Sequence, residues 1–285
     1  MVFGKRKFYR IMEFMKNTIS KIVIAIPARL ESKRLPNKVI QEIGDQLMIE
    51  RVLKQCDKVK DICEIILCTD SEKLLNISEN LGFKSIKTKK NCDSGTERIA
   101  SEIYKIMDLI WGENSMKWNK EFAKKKFEES LIINVQADQP FIDPQIINQL
   151  IVEFKKSEKD TKVITPIYKL NYKKVNDPNK VKVILNKYQN AIYFSRSPIP
   201  FIKDKNNFNS ERISNFWGHV GVYGYRADVL KLWEEMLISE NEFLEGLEQL
   251  RLINEGIIIK TFKIESDVLS VDTIENLLEA RANLK

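Results

Sequence analysis

The feature that most constrains the fold is the alternation of short apolar runs with helical segments through the first half of the chain. Continuous apolar runs at 22–26, 64–69 and 131–136 predict strands buried on both faces of a parallel sheet. Pro27 is expected to end the first of them. Helical spacing and capping patterns predict helices at 48–56, 70–81, 94–110 and 144–155, with Asp70 as an N-cap. Because parallel strands need right-handed crossovers, the sequence predicts a doubly wound, mostly parallel α/β sheet.

The second half of the chain has a more mixed pattern. Short strands, several of them antiparallel, are predicted at 162–168, 181–185, 191–194, 220–225 and 257–264, and helices at 243–254 and 273–284. Phe243, Leu247 and Leu250 fall on one face of the first of these helices. The Lys-rich segment 111–130 lacks a clear period and is interpreted as a surface insertion. Since no repeat or linker divides the chain, residues 21–285 are predicted to form one domain after a basic extension over 1–20.

A single histidine, His219, occurs among the 285 residues. This count excludes zinc sites with several histidines, and it makes His219 the only histidine available to a Ser-His or Cys-His couple. A lone histidine is more often a structural residue than a ligand. The net charge of 47 − 40 = +7 favours anionic partners. We therefore expect chemistry that rests on carboxylates, lysine, arginine, hydroxyls and a bound ion.

Cysteine usage and the N-terminal residues indicate the compartment. The four cysteines form no C-x-x-C pair and follow no secretory signal, so free thiols and a reducing cytoplasm are expected. Cys63 and Cys68 are predicted to be small buried residues. No apolar run approaches the ~20 residues of a membrane span. The basic residues 1–20 are interpreted as a disordered tail or as an extension before a start at Met12 or Met15, with a membrane-surface helix as the less favoured alternative.

A basic loop follows the first predicted strand, at the sheet edge where open α/β folds bind ligands. Arg29, Lys33, Arg34 and Lys38 lie close together in it, and arginine and lysine suit phosphate oxygens. The loop contains no glycine, so it is neither a Walker A motif nor a G-x-G-x-x-G turn. A phosphate cradle here must therefore use side chains. A solvated basic loop is the structural alternative, and spacing alone favours neither.

Two aspartates are candidates for a magnesium site. Asp138 follows the third predicted strand, where a carboxylate facing the basic loop can hold Mg²⁺ against phosphate oxygens. This position favours a metal site over a turn or a helix cap. Asp272 lies at a strand-to-helix junction, where the local pattern favours a cap by Asp272 or Thr273. A second carboxylate is nevertheless what a magnesium site requires, because one aspartate holds the ion weakly.

Other polar segments have structural explanations when each is taken alone. Ser94 and Glu97 fit a capping box, although the turn at Ser94 and Gly95 also offers free N–H groups to a base or phosphate. Glu248 and Gln249 would normally lie on a helix surface. In the second half, polar residues gather at 194–197, 218–225 and 247–251. Spacing alone does not unite these three segments.

Together these segments resemble the family of 3-deoxy-manno-octulosonate (Kdo) cytidylyltransferases, also called CMP-Kdo synthetases. The resemblance runs from about Lys21 to Leu284, apart from 111–130. The basic loop is shared with many nucleotidyltransferases, whereas the motifs at 194–196 and 247–251 are far more specific to this family. The matching motifs, in chain order, are Pro-Ala-Arg at 27–29, Arg-Leu-Pro at 34–36 with Lys38, Ser-Gly-Thr-Glu-Arg at 94–98, Asn-Val-Gln at 134–136 with Asp138 and Pro140, Val-Lys-Val at 181–183, Tyr-Phe-Ser-Arg at 193–196, Gly-Val-Tyr-Gly-Tyr at 221–225, Leu-Glu-Gln-Leu-Arg at 247–251 and Val-Asp-Thr at 271–273.

The resemblance implies a fold and a reaction. The fold is a Rossmann-like sheet of the nucleotide-diphospho-sugar transferase type, with a smaller antiparallel sub-domain for dimerisation. The reaction converts CTP and Kdo to CMP-Kdo and pyrophosphate, for lipopolysaccharide biosynthesis, by in-line attack of the anomeric hydroxyl on the α-phosphorus. Such an enzyme must align two substrates and neutralise the charge that develops on the phosphates. The implied protein is a cytoplasmic homodimer that neither binds nucleic acid nor spans a membrane.

The resemblance also implies a role for each matching residue. The nucleotide would be bound by Ala28, Arg29, Arg34, Lys38, Ser94 and Gly95. Catalysis would depend on Arg29, Lys38, Asp138 and Asp272. Mg²⁺, the expected cofactor, would be ligated by Asp138 and Asp272. The sugar would be bound by Gln136, Arg196, His219, Tyr223, Glu248 and Gln249. Among these, Arg196 is assigned to the sugar carboxylate because of its charge.

Three positions depart from the family pattern. The family usually has glycine before a Lys-Pro pair, where this chain has Asn37-Lys38-Val39. It usually has Gln-Gly-Asp-Glu-Pro, where this chain has Gln-Ala-Asp-Gln-Pro at 136–140. It usually has His-Gln before Ser-Gly, where this chain has Cys92-Asp93. The carboxylate of Asp93 is an acceptor only, which suits the exocyclic amine of cytosine but not a neighbouring phosphate.

Three alternatives stay open. Family members that use an 8-amino version of Kdo carry glutamine where Gln139 lies here, so the 8-amino sugar is one alternative substrate. Another is an acidic sugar of the sialic-acid type, against which the 247–251 motif argues. The third is a non-catalytic protein that binds nucleic acid through its positive charge. We rank it lowest, because the charge is spread along the chain and no aromatic-basic motif is apparent.

Overall fold

One mixed sheet of ten strands organises the chain in the computed structural model, which describes residues 17–32, 34–203 and 216–284. Its strands are β1 (Lys21–Ala28), β4 (Glu64–Thr69), β5 (Lys84–Lys87), β6 (Ser130–Asn134), β7 (Val163–Lys169), β8 (Lys182–Leu185), β9 (Ala191–Ser195), β10 (Trp217–His219), β11 (Tyr223–Arg226) and β12 (Ile259–Ile264). A separate two-stranded sheet is formed by β2 (Glu42–Ile43) and β3 (Gln46–Leu47).

The helices of the described residues cover both faces of the sheet and link its strands. The α-helices are Met48–Cys56, Glu72–Asn80, Gly95–Ala100, Ile103–Trp111, Lys120–Glu128, Pro144–Lys156, Ala227–Lys231, Glu240–Glu245, Gln249–Asn254 and Ile274–Ala282. Short 3₁₀ helices lie at Lys38–Ile40, Ser115–Lys117, Tyr172–Lys174 and Trp233–Glu235. Within these described ranges, none of the helices combines the length and the apolar character needed to cross a membrane.

The sheet is parallel in the first half of the chain and largely antiparallel in the second. The strand order is β5-β4-β1-β6-β11-β7-β10-β8-β9, and β12 pairs in parallel with β7. The four strands from β5 to β6 are all parallel, which confirms the predicted doubly wound half. β11 lies antiparallel between β6 and β7, and β10, β8 and β9 continue the antiparallel pairing. The antiparallel part therefore extends the same sheet.

Burial on both faces of β1 explains its unbroken apolar run. Ile22, Ile24 and Ile26 belong to a buried cluster that the helices Met48–Cys56 and Pro144–Lys156 help to form. Val23 and Ala25 point to the opposite face and join a second cluster with the helix Ile103–Trp111. Burying apolar surface on two sides is favourable by roughly 25 cal/mol per Å². The sheet is thus a firm support for the loops at its strand ends.

The beginning of the described chain adds one anchor to the predicted domain. Asn17 is buried, and its side-chain amide donates to Ser157 Oγ and to the carbonyls of Glu158 and Thr161 at 3.0–3.1 Å. The ordered chain therefore starts before Lys21. Residues 1–16 of the predicted extension, and Lys33 of the basic loop, lie outside the described residues.

β1 continues through Pro27 to Ala28, so Pro27 does not end the strand as predicted. Proline lacks an N–H group and is tolerated in a sheet where pairing is incomplete. The pairing of β1 with β6 ends at Ala25, whereas Pro27 is still aligned with Cys68 of β4. Pro27 therefore has a strand partner on one side only. β6 itself ends at Asn134, earlier than predicted.

Hydrogen bonds decide where two predicted helices begin. The helix Glu72–Asn80 is capped by the hydroxyl of Ser71, which accepts one of its backbone N–H groups, so the predicted cap at Asp70 is wrong. Asp70 instead lies 3.0 Å from the guanidinium of Arg98. The predicted cap at Ser94 is confirmed, because its hydroxyl accepts the N–H of Glu97 at 3.1 Å.

Two predicted helices are each divided into two. The prediction at 94–110 corresponds to Gly95–Ala100 and Ile103–Trp111, and that at 243–254 to Glu240–Glu245 and Gln249–Asn254. Gly246 separates the second pair with a φ of +60°, a left-handed conformation that commonly ends helices. Because of this break the three residues predicted to share one helix face do not share it: Phe243 is 79% exposed, whereas Leu247 and Leu250 are buried.

The structure differs from three further predictions. The segment 111–130 contains the helix Lys120–Glu128, whose buried Phe127 packs edge-on against Trp118 at a ring distance of 6.5 Å. Cys68 lies in β4 and is buried as predicted. Cys63 was also predicted to be buried, but it precedes β4 and is exposed. The strand predicted at 220–225 is interrupted, since β10 ends at His219 and β11 begins only at Tyr223.

Candidate active site

A cleft of about 520 Å³ opens beside the carboxyl ends of β1 and β6. Its walls are the end of β1, the basic loop, the turn before the helix Gly95–Ala100 and the residues that follow β6. All six residues predicted to bind a nucleotide line it: Ala28, Arg29, Arg34, Lys38, Ser94 and Gly95. Gln136, Asp138 and Asp272 line it as well. The topology thus unites motifs that are far apart in the sequence.

Asp138 and Asp272 converge on one ammonium group in this cleft. Lys38 Nζ lies 2.6 Å from Asp138 Oδ2 and 2.8 Å from Asp272 Oδ1. The segment that carries Asp272 is also tied directly to Asp138. Ser270 Oγ donates to Asp138 Oδ1 at 3.1 Å, and the N–H of Val271 donates to the Asp138 carbonyl at 2.9 Å. The two carboxylates therefore have a fixed mutual position.

The electrostatic balance keeps Lys38 and Asp272 charged at neutral pH. Burial alone lowers the pKa of Lys38, but the two aspartates outweigh burial and hold this pKa above its ordinary value. Burial alone raises the pKa of Asp272, but Lys38 and Arg34 outweigh it and the pKa is lowered. Arg34 lies 3.2 Å from Asp272 Oδ1. The cleft therefore holds carboxylates and cationic side chains side by side, and neither positive nor negative charge is in large excess.

The donor set of this cluster fits Mg²⁺. In phosphate-handling sites Mg²⁺ takes one or two carboxylates, and waters and substrate phosphates complete its octahedron. Asp138 and Asp272 supply two such carboxylates at one cationic position. Over the described parts of the chain, no group of three or more His, Cys, Asp or Glu side chains could hold a metal. An ion between the two aspartates would therefore take its remaining oxygens from water or a substrate.

The turn at Ser94 and Gly95 approaches the end of β1 closely. A Cβ atom added to Gly95 would lie 3.0 Å from Pro27 Cγ and 3.2 Å from Gln136 Oε1, which is tighter than ordinary contact. Glycine therefore allows the first N–H groups of the helix Gly95–Ala100 to border the cleft. Asp93, where the family pattern has glutamine, lines the same wall.

His219 lies at the end of β10 in an aromatic group beside the cleft. Its Nε2 is 2.9 Å from Thr165 Oγ1, and its ring lies 5.0 Å from the ring of Phe194 and 5.2 Å from that of Tyr223. Burial lowers the pKa of His219 to about 3. The imidazole is therefore neutral near pH 7 and does not change its protonation state there.

Glu248 faces inwards, contrary to the surface position that its helix pattern alone predicts. Its Oε2 accepts the N–H of Thr96 at 3.3 Å, and its Oε1 accepts the Thr96 hydroxyl at 2.6 Å. Burial raises the pKa of Glu248, and hydrogen bonds from Ser94 and Thr96 oppose the rise. Glu248 also contributes, after burial and Tyr225, to the raised pKa of Tyr223.

Arg196 is exposed and held by main-chain carbonyls. Its guanidinium donates to the carbonyls of Glu245, Pro178 and Gly246 at 2.8, 3.1 and 3.3 Å. Burial alone would raise the pKa of Asp272, and Arg196 is among the cations that lower it. Arg196 therefore stands within electrostatic reach of Asp272.

Comparisons with known proteins show which family has this site. The model of a cytidylyltransferase family matches residues 22–109 and 113–264. The chain is 37% identical over 258 residues to a 3-deoxy-manno-octulosonate cytidylyltransferase of Fusobacterium nucleatum, covering 90% of this chain and 94% of the relative. It is 33% identical over 264 residues to a protein of the same name from Escherichia coli, covering 93% and 96%. The chain belongs to the 3-deoxy-manno-octulosonate cytidylyltransferase family.

Solved structures agree with this membership. A CMP:2-keto-3-deoxy-manno-octonic acid synthetase complexed with CTP is 33% identical and has a TM-score of 0.78, covering 93% of this chain and 98% of that one. A 4-diphosphocytidyl-2C-methyl-D-erythritol synthase from Anaerococcus prevotii, 15% identical with a TM-score of 0.54 and the same coverage, shares the fold. The predicted family resemblance and nucleotidyltransferase fold are confirmed.

In this member of the cytidylyltransferase family, the residues predicted to bind sugar lie in two places. Gln136 lines the cleft. His219 and Tyr223 are neighbours in an aromatic group beside it, and Glu248 bonds Thr96. Gln249 is buried next to Glu248, and Arg196 lies outside the cleft lining. The candidates for nucleotide and metal binding thus line the cleft, as does the sugar candidate Gln136, and the other sugar candidates lie outside its lining.

Sequence reasoning missed two residues that support this family site. Thr96 is fully buried and holds the carboxylate of Glu248. Lys182 is fully buried and donates to the main-chain carbonyls of Asp177, at 3.0 Å, and Arg196. Burial lowers the pKa of Lys182. Both residues belong to family motifs, at 94–98 and 181–183, and that membership was the only signal that could have found them.

Proposed function

We propose that this chain transfers CMP from CTP to Kdo and releases pyrophosphate, as a step of lipopolysaccharide biosynthesis. The observation that carries the proposal is the convergence of Lys38, Asp138 and Asp272 in a cleft lined by every predicted nucleotide-binding residue. The names of the relatives and the CTP complex of the similar structure support the choice of substrates.

The residues of the cleft supply the groups that a nucleoside triphosphate requires. Arg29, Arg34 and Lys38 line it, and we assign them to the phosphates, because arginine offers a planar fork of donors and lysine a point charge. We assign Ala28, Ser94 and Gly95 to the base and ribose. Their small side chains leave room, and the turn before the helix offers free N–H groups.

We propose Mg²⁺ as the cofactor, with Asp138 and Asp272 as its protein ligands. Bound there, the ion would neutralise phosphate charge and polarise the α-phosphorus. The fixed mutual position of the two carboxylates supports this assignment, since Ser270 and Val271 both bond Asp138. The hydrogen bond from Ser270 Oγ restricts the orientation of the Asp138 carboxylate.

The proposed reaction is an in-line displacement at the α-phosphorus. A P–O bond forms to the anomeric oxygen of Kdo, the bond to the pyrophosphate oxygen breaks, and the hydroxyl proton is released. Arg29 and Lys38 stabilise the negative charge that develops on the phosphates. Binding both substrates against the strand ends aligns them for attack. With a pKa of about 3, His219 stays neutral, so we assign it to sugar binding and not to proton transfer.

We propose that the acidic sugar binds where the cleft meets the aromatic group. Arg196 is assigned to the sugar carboxylate, because its guanidinium is exposed and its charge already acts on Asp272. Gln136, His219, Tyr223, Glu248 and Gln249 are assigned to the remaining sugar atoms. The ring contact of His219 with Tyr223, and the electrostatic influence of Glu248 on the pKa of Tyr223, support a shared pocket.

The 8-amino sugar is a second candidate because of Gln139. This residue is 3% exposed, and its Oε1 is buried without a hydrogen-bond partner among the described residues. A free acceptor is suited to an amine, whereas the glutamate usual at this position would bring a charge. A comparison of kcat/KM for Kdo and for its 8-amino analogue decides between them, and Gln139→Glu should shift the preference towards Kdo.

We also propose a cytoplasmic homodimer. The four free cysteines support a reducing compartment. A cluster of exposed apolar residues in the second half supports self-association. This apolar patch consists of Leu237, Ile238, Phe243 and Leu244, which are 54–80% exposed.

The test of the proposed function is pyrophosphate release by the purified protein with CTP, Mg²⁺ and Kdo. Asp138→Asn should reduce the rate by about 10²-fold or more without unfolding the chain. Asp45→Asn is the matched control, because Asp45 is 84% exposed and outside the cleft, and it should retain wild-type activity. Absence of release with both Kdo and its 8-amino analogue would overturn the function. Equal rates for the two variants would overturn the role of Asp138.

A further inference from the structure

A chain of hydrogen bonds leads from the cleft to Glu248 through two residues that no assignment above uses. Gln136, in the cleft lining, donates through Nε2 to Asn134 Oδ1 at 3.1 Å. Asn134 Nδ2 donates to Thr96 Oγ1 at 3.2 Å. The Thr96 hydroxyl then donates to Glu248 Oε1 at 2.6 Å. Asn134 and Thr96 are both fully buried, so water cannot replace these bonds.

The hydroxyl of Thr96 has its full set of partners. A hydroxyl has one hydrogen and two acceptor positions. The hydrogen goes to Glu248 Oε1, at 2.6 Å. Asn134 Nδ2 donates to Thr96 Oγ1, and the hydroxyl of Tyr225 lies 3.3 Å from the same oxygen. Thr96 therefore cannot turn away without leaving buried polar groups unpaired.

The backbone of Thr96 completes the hold on Glu248. Its N–H donates to Glu248 Oε2 at 3.3 Å, so one residue engages both carboxylate oxygens. Thr96 also follows Ser94 and Gly95 in the chain, within the first turn of the same helix. A displacement of this turn therefore carries the carboxylate of Glu248 with it.

We propose that Thr96 is a positioning residue that ties the sugar-binding carboxylate of Glu248 to the nucleotide-binding turn at Ser94 and Gly95. The proposal rests on the proposed function, in which these residues contact sugar and nucleotide. Thr96 touches neither substrate. Its effect is to set the distance between the two subsites, on which alignment of the anomeric oxygen with the α-phosphorus depends.

Thr96→Val and Thr96→Ser test the proposal as a matched pair. Thr96→Val keeps the branched shape but removes the hydroxyl, and we expect it to raise the KM for the sugar by about tenfold, the effect of one hydrogen bond to a charged group. The KM for CTP should change by less than about twofold, because the backbone of the turn is kept. Thr96→Ser keeps the hydroxyl and should restore the sugar KM.

A double-variant cycle with Glu248→Gln separates positioning from general structural support. Once Glu248→Gln is present, adding Thr96→Val should raise the sugar KM by far less than it does alone. Melting temperatures of all four proteins check that they are folded. Equal rises in both KM values, or additive effects in the cycle, would overturn the role of Thr96. The proposed function would still stand in that case, provided that the wild type turns over. Absence of wild-type turnover with either sugar would overturn the proposed function itself.

Discussion

Lys38 is the residue on which both charge and geometry of the site depend. Its ammonium group bonds Asp138 and Asp272 at 2.6 and 2.8 Å, and its assigned role is to bind phosphate. The aspartates and a phosphate have the same requirement, a localised positive charge with several hydrogen-bond donors. The charges of the site raise the pKa of Lys38 and lower that of Asp272. Because these pKa values differ between the folded and the unfolded chain, the site also contributes to folding stability.

The acid stability of the protein should depend on Asp272. Because the folded pKa of Asp272 is lowered, the unfolded chain takes up its proton first as the pH falls. The stability that Asp272 contributes is therefore present at neutral pH and is lost below about pH 4. Urea unfolding from pH 7 to pH 3 should show a smaller acid loss for Asp272→Asn than for the wild type. Asp45→Asn, at an exposed position, is the control, and parallel curves for all three proteins would contradict the prediction.

His219 gives a second residue-scale prediction, which a single NMR resonance can check. It is the only histidine in the chain, so its ring proton signal needs no assignment. Since burial lowers its pKa to about 3, the chemical shift should stay constant between pH 5 and pH 8. An unperturbed histidine would titrate near pH 6.5, and a midpoint in that region would show that the ring is exposed to water.

At the scale of elements, local patterns predicted the regular segments and missed the interruptions. The helix Met48–Cys56 and the strand Glu64–Thr69 match their predictions residue by residue, because their apolar spacing is set by burial on the sheet. Gly246 divides a predicted helix, and only its left-handed φ reveals the break. Asp70 and Ser71 are both good caps by residue type; in the structure Ser71 is the cap and Asp70 lies 3.0 Å from Arg98.

The contact between the helix Gly95–Ala100 and the end of β1 gives a prediction at this scale. Gly95→Ala places a Cβ atom 3.0 Å from Pro27 and 3.2 Å from Gln136, so the turn must move. We expect about 1 kcal/mol lower stability and a KM for CTP raised by about tenfold. Gly221→Ala is the matched control, because its Cβ atom would lie 3.8 Å from the same Gln136 side chain. Steady-state kinetics and denaturant unfolding measure both effects, and indistinguishable variants would contradict the prediction.

At the scale of the whole molecule, the site depends on contacts between distant segments. Local spacing favoured a helix cap by Asp272 or Thr273 and left Glu248 on a surface. Asp272 was a candidate because a magnesium site needs a second carboxylate, whereas only the family motifs gave Glu248 a role in the site. The structure brings Asp272 to Asp138 through Ser270 and Val271, and Glu248 to Thr96. Such pairings depend on the order of the strands in the sheet and on the path of the chain after β12 back to the cleft. The periodicity of the sequence encodes neither of these.

The proposed homodimer gives the last prediction, since the apolar patch defined above has no cover within the described chain. Leu237→Lys combined with Phe243→Lys should convert the dimer to a monomer, because two buried charges without partners are costly at an interface. Both side chains are about 80% exposed in the single chain, so the fold should be retained. Sedimentation or light scattering measures the mass, and Met116→Lys, at a 72% exposed apolar residue elsewhere, is the control that should stay dimeric. A wild-type monomer would refute the dimer, and a double variant that remains dimeric would refute the patch as its interface.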